Sequence, residues 1–127
     1  MKEAYIDGFL LVVPRGKEAE YKKMATLGKE VWLKHGALDY KECVGDDLQP
    51  EGMSGMKPRS FIEAAGATVN ETVWLSFIVF KSREHRDEVN KKVMADPLMN
   101  NPDWKDKPMP FDFARFCYGG FKVEVGE

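Results

Sequence analysis

From Tyr5 to Val13 the apolar residues fall on both parities of the chain. Ile6, Leu10 and Val12 take one side, and Phe9, Leu11 and Val13 take the other. A strand patterned this way is covered on both faces. Pro14, Arg15 and Gly16 end it. From Lys17 to His35 the period changes to that of a helix, with Tyr21, Met24, Gly28, Val31 and Trp32 on one side and lysines and glutamates on the other. Glu18–Lys22 and Glu30–Lys34 are favourable i,i+4 pairs. Lys34 and His35 suit the negative end of the helix dipole, and Gly36 is a natural residue just past its end.

Leu38 to Val44 has mixed polarity and predicts an edge strand. Residues 46–71 are rich in Gly, Pro and Ser. A connection this long in a compact domain is commonly a lid, an arm or an extra short strand. Thr72 to Lys81 is the most apolar strand, again on both parities: Val73, Leu75, Phe77 and Val79 against Trp74, Ile78 and Phe80. Ser82 then caps a second long helix that carries Glu84 in its first turn and runs to about Ala95. His85, Val89 and Val93 line one of its sides. Residues 100–112 are proline-rich and read as irregular, and Arg115 to Val125 predicts the last strand, interrupted by Gly119-Gly120.

The order β-α-β-β-α-β is the ferredoxin-like, split-βαβ arrangement: an α+β fold with an antiparallel sheet, spanning 1–127 as one domain. Two helices cover only one face of such a sheet, yet the first and third strands are apolar on both. The second face is expected to be shielded by an identical subunit.

Composition narrows the setting. The chain has 127 residues, 43% hydrophobic and 31% charged, with a formal net charge of −2, which suits a globular domain and offers no cationic excess for nucleic acid or an anionic membrane. No apolar run reaches the roughly 20 residues of a membrane-spanning helix. Glu3 and Asp7 interrupt what would otherwise resemble a signal peptide at the N-terminus. Two cysteines without a CxxC pair fit a reduced, cytoplasmic protein.

The segments YIDGFLLVVP, HGALDYKECVGDD, SFIVFKSREHRDEVNKKVMADP and MPFDFARFCYGGFKVEV resemble domain-of-unknown-function family 1428, the YbaA-like proteins. The likeness covers nearly the whole chain, with HRDxVNxKVMADP and the terminal YGGF as its specific parts. The resemblance implies the dimeric α+β barrel superfamily, and it implies no established activity. Some members carry a label linking them to the signal recognition particle RNA, which this composition does not support. The chain departs from the family pattern at Phe113, where a Gly is expected after PFD, so the local turn there is expected to differ.

Candidate chemistry is sparse, and each candidate has two readings. His85 sits in the first turn of a helix, where the dipole disfavours imidazolium. It is either a base facing a cavity or a half-buried side chain bonded to backbone. His35 reads as a group satisfying helix-terminal carbonyls or as a ligand contact. Asp7 stands in an apolar strand and needs a partner. In the strand order 4-1-3-2 it lies near Tyr118, Gly119 and Gly120. The glycines would leave room for a ligand pocket with Asp7 at its floor, or Asp7 is an internal ion pair, with Arg115 as the candidate cation, or a bond to Tyr118. Trp74, on the parity of Ser76, Ile78 and Phe80, reads as core, interface or pocket wall. Arg59 is a solvated loop residue or an anion contact. Cys43 and Cys117 fall on opposite edge strands, too far apart to bridge, and are expected to be buried and inert.

No P-loop, dinucleotide glycine fingerprint, HExxH or GxSxG motif is present, and His35 and His85 have no neighbouring ligand pair, so no metal and no cofactor are expected. The third strand lacks the basic and aromatic signature of RNA-recognition modules. The leading expectation is a cytoplasmic homodimer that takes a small organic molecule between sheet and helices, with enzymatic turnover left open. The alternative is a non-catalytic interaction dimer, and RNA binding ranks last.

Overall fold

A computed structural model describes residues 4–52, 54–100 and 109–126. Its elements run β1 (Tyr5–Pro14), α1 (Glu18–Lys34), β2 (Asp39–Val44), α2 (Phe61–Ala65), β3 (Glu71–Phe80), α3 (Arg83–Met94), a 3-10 turn (Phe113–Arg115) and β4 (Cys117–Lys122). The four strands form one antiparallel sheet in the order β2-β3-β1-β4. This is the α+β, ferredoxin-like topology that the alternation of strand and helix patterns predicts. Among the described residues no helix is long and apolar enough to cross a membrane.

The helices form where the sequence supplies both a stripe and ends. Glu18 accepts the Gly16 N–H at 2.7 Å as α1 begins. Tyr21, Ala25, Gly28 and Val31 are its buried positions, one stripe at helical spacing. Beyond His35, Gly36 has φ of +114°, a left-handed conformation that glycine takes without a Cβ clash. Ser82 caps α3 by accepting the His85 N–H at 3.1 Å. Val89 and Val93 are the buried residues of that helix.

Both long helices lie on one face of the sheet, here the inner face. Tyr5, Asp7, Leu11 and Val13 of β1 are buried there, as are Trp74, Ser76, Ile78 and Phe80 of β3. Ile6, Gly8, Leu10 and Val12 point to the other face. The connection at 46–71 forms neither an extra strand nor a plain loop. It carries α2, begun by a Ser60–Glu63 capping box and ended by Gly66 in the left-handed conformation. This short helix covers one end of the outer face, where Ala65 packs with Val12 and Val73. Among the described residues no other element covers that face: Leu75 is 46% exposed and Phe121 63% exposed.

Arg115 holds the C-terminal segment in place. Its guanidinium donates to both oxygens of Glu71 (2.8 and 2.5 Å), to Asp112 (2.6 Å) and to the Gly66 carbonyl (2.6 Å). It is therefore not the partner of Asp7. The hydrogen bonds from Arg115, then that from the Thr68 N–H, hold Glu71 down to about 2. Phe113 has negative φ in the 3-10 turn, so no glycine is required at this point.

Candidate functional site

The inner face carries two carboxylates in different surroundings. Asp7, 4% exposed, sits mid-strand in β1 under α3. One turn into α3, Arg86 donates to Asp7 at 2.7 Å. The same guanidinium lies 4.9 Å from the centre of the Tyr5 ring. Burial raises the Asp7 carboxyl above its ordinary value, and the Arg86 charge and the Asn90 amide only partly offset this. Gly120 stands opposite Asp7 in the β1–β4 register. A Cβ at Gly120 would overlap the Tyr5 phenol, so the space freed by the glycine is filled by an aromatic ring. Asp7 is thus held in an internal ion pair.

The second carboxylate is Glu42, half-buried on edge strand β2. Three hydroxyls converge on it. Tyr21 of α1 donates to Oε1 at 2.7 Å, Tyr40 of β2 donates to Oε2 at 2.8 Å, and Ser76 of β3 donates to Oε1 in a short bond. The arrangement follows from periodicity within each element and from register between them. Tyr40 and Glu42 are two apart on a strand and so share the inner face, Ser76 is the register partner of Glu42, and Tyr21 lies on the buried stripe of α1. A Cβ at Gly28 would come within 2.9 Å of the Tyr40 hydroxyl, so the missing side chain lets that phenol tuck against α1. Burial, and then the Glu42 charge, push both phenols well above the ordinary tyrosine value, so both stay protonated donors.

Beside this cradle opens a cleft of about 330 Å³ between α1 and the sheet edge. Glu42, Tyr40 and Trp74 line its floor and wall, and Lys22, Thr26 and Lys29 line its rim. The rim residues sit one position along from Tyr21, Ala25 and Gly28. One stripe of α1 therefore seals the core and the adjacent stripe faces the cleft. Trp74 meets Tyr21 edge-on at 4.9 Å and donates its indole N–H to Thr72 at 3.0 Å.

The other sequence candidates do not converge here. His85 accepts the Lys81 N–H on Nδ1 at 2.9 Å, which leaves Nε2 as the ring's donor position, and its edge packs on Phe80. The His35 side chain bonds Asp96 at 2.7 Å, while its backbone N–H, at the C-terminal cap of α1, donates to the Val31 carbonyl at 3.1 Å. Asp96 is held down to about 2 by the Leu98 N–H, then by His35 and Lys34. Tyr118 is 69% exposed, stacks on Phe9 at 5.8 Å and makes no bond to Asp7. Arg59 is exposed in the segment leading to α2. Cys43 and Cys117 are exposed, not buried. They occupy the two ends of one outer-face row, Cys43–Leu75–Leu10–Cys117. Three strand spacings of about 4.8 Å separate those ends, beyond the reach of a disulfide. Among the described residues no group of three His, Cys, Asp or Glu side chains is arranged to hold a metal.

Sequence reasoning passed over Glu42 because a glutamate on a mixed-polarity edge strand looks solvated. Its inward parity beside Tyr40 was the available signal, but Tyr21 and Ser76 join it only through the tertiary register.

A family model described as "Protein of unknown function (DUF1428)" matches residues 4–113. The chain belongs to this family. It is 38% identical over 123 residues, 97% of this chain and 98% of theirs, to the proteins called "Uncharacterized protein YbaA" in Escherichia coli K12 and in Shigella flexneri. The region matched by the family model contains the whole Glu42 cradle and the Asp7–Arg86 pair, whereas Tyr118 and the paired glycines lie beyond it.

Proposed function

We propose that this protein is a cytoplasmic homodimer that packs the outer faces of its two sheets together, and that each subunit takes a small organic molecule into the cleft beside Glu42. The observation that carries the ligand site is the convergence of three hydroxyls on one carboxylate at the floor of an open cleft. Burying a carboxylate and three hydroxyls costs free energy, and packing alone would be served as well by apolar side chains. A polar cluster of this kind, facing a cavity, is the general form of a recognition site.

The dimer rests on the outer face. Ile6, Leu10, Leu75, Phe77, Val79 and Phe121 point outward, and α2 covers only one end of the sheet. The charged pair at the β2 edge, Lys41 and Asp39, neutralises itself at 2.9 Å. Four strands at about 4.8 Å spacing and about 3.3 Å per residue give a flat face on the order of 500 Å². With one end taken by α2, the free sheet face is smaller than the roughly 800 Å² per partner of a standard interface.

Native mass spectrometry of freshly purified protein tests both parts. The expected species is a dimer that releases a stoichiometric small molecule on denaturation. A bare dimer would select the second reading, an interaction dimer without ligand, which rests on the same apolar face. A monomer at micromolar concentration would overturn the dimer.

A further inference from the structure

We infer that the cleft beside Glu42 selects small organic acids that also carry a hydroxyl or amino donor, that is, hydroxy or amino carboxylates. This rests on the cleft being the ligand site, and goes beyond it by naming the ligand's two ends.

The first end follows from the acceptor capacity of Glu42. A carboxylate oxygen accepts about two hydrogen bonds. Oε1 receives the Tyr21 and Ser76 hydroxyls and is saturated, whereas Oε2 receives Tyr40 alone at 2.8 Å. One acceptor position is left on a residue that lines the cleft. An O–H or N–H of a ligand fits it, and the three hydroxyls hold the carboxylate in a fixed orientation to receive it.

The second end follows from the rim. Lys41 is already paired with Asp39 at 2.9 Å. Lys22 and Lys29 also face the cleft, and among the described residues neither forms a salt bridge. Two ammonium groups at the mouth attract an anion, while Glu42 at the floor repels one. A ligand with a carboxylate outermost and a donor innermost satisfies both, and the Trp74 wall takes its apolar part. A volume of about 330 Å³ lies at the lower end of the roughly 300–1,000 Å³ of small-molecule sites, which suits a compact acid.

The experiment is an amide NMR titration of the full-length protein, which reads millimolar affinities, with four matched probes: 2-hydroxybutyrate, 2-aminobutyrate, butyrate and 1,2-butanediol. The expected result is at least ten-fold tighter binding of 2-hydroxybutyrate or 2-aminobutyrate than of butyrate or the diol. Glu42→Gln and Tyr40→Phe should erase the advantage over butyrate. Replacing Lys22 and Lys29 with Ala should erase the advantage over the diol. Thr26→Trp, at an exposed helix position on the rim, should block all binding without unfolding the protein. Binding that Thr26→Trp abolishes but that ignores the donor would overturn the ligand class and leave the cleft standing as a site. Failure of all four probes, or binding indifferent to Thr26→Trp, would overturn the class too. In that case the molecule retained in the native mass spectrum decides whether the cleft reading survives.

Discussion

Asp7 and Glu42 lie on the same face of the same sheet, two strands apart, and meet opposite fates. Asp7 is closed over by a charged partner: Arg86 reaches it from α3, and the Tyr5 ring fills the space that Gly120 leaves. Glu42 is held by neutral hydroxyls at the sheet edge and keeps an open side. An ion pair beneath a helix satisfies a buried charge internally and leaves little for a ligand. A hydroxyl cradle at an edge orients a carboxylate without neutralising it, so the charge stays available to an incoming donor. Position relative to the sheet edge, more than residue type, separates the sealed carboxylate from the one proposed for recognition.

The sharpest way to break this contrast is to unpair the sealed site. Arg86→Ala leaves the buried Asp7 carboxylate without its cation and is expected to cost about 3 kcal/mol in urea unfolding, whereas Asp7→Ala should cost less, because Arg86 keeps Asp87 at 2.8 Å. Replacing both with apolar residues should recover much of that loss. A cost below about 1 kcal/mol for both single variants would mean that water reaches the pair and that the two sites do not differ. Next in size, Leu75→Lys at the centre of the outer row is expected to weaken the proposed dimer by about 2 kcal/mol in sedimentation, while the inner-face pair stays intact. An unchanged dimer would place the interface elsewhere.

Glu42→Gln should cost about 1 kcal/mol, because the amide nitrogen cannot accept a hydroxyl and one of the three donors loses its partner. Gly28→Ala adds a good helix former at a buried position, yet its Cβ must displace the Tyr40 phenol from α1. The expected outcome is a stability change under about 1 kcal/mol with a clear fall in binding at the cleft, and full binding in this variant would show that Tyr40 has no part in positioning Glu42.

The smallest effect is the acid titration. Glu71 and Asp96 are each held down to about 2, from ordinary values of 4.5 and 3.8. Their stabilisation is complete above those ordinary values and is lost as pH falls toward about 2. Asp7, with its carboxyl raised, acts in the opposite sense: its contribution is greatest below 3.8 and declines as pH rises through the raised value. Unfolding midpoints between pH 6 and 2 should therefore fall on acidification, less steeply in Glu71→Gln and Asp96→Asn, and more steeply in Asp7→Asn. A slope unaffected by Glu71→Gln would remove the Arg115 clamp from the acid response.

Much of this was written in local pattern. Apolar residues on both parities of β1 and β3, the helical stripe through Tyr21, Gly28 and Val31, the Ser82 cap and the Gly36 stop all act within a few residues, so the sequence by itself determined the four strands and two long helices, their order and the edge position of β2. The short α2 was missed because its five residues carry too little periodicity to stand out in a polar connection, although its Ser60–Glu63 capping box was there to be read. What only the tertiary structure decided are the pairings. Asp7 took Arg86 from α3, and Arg115, near in the expected register, turned instead to Glu71 and Asp112. Tyr21, Glu42 and Ser76 belong to three different elements, and both cysteines proved exposed at the sheet edges. Periodicity fixes which face a side chain takes, because that depends on backbone geometry over one or two turns. Partners across elements depend on strand register and helix placement, set by the packing of the whole core.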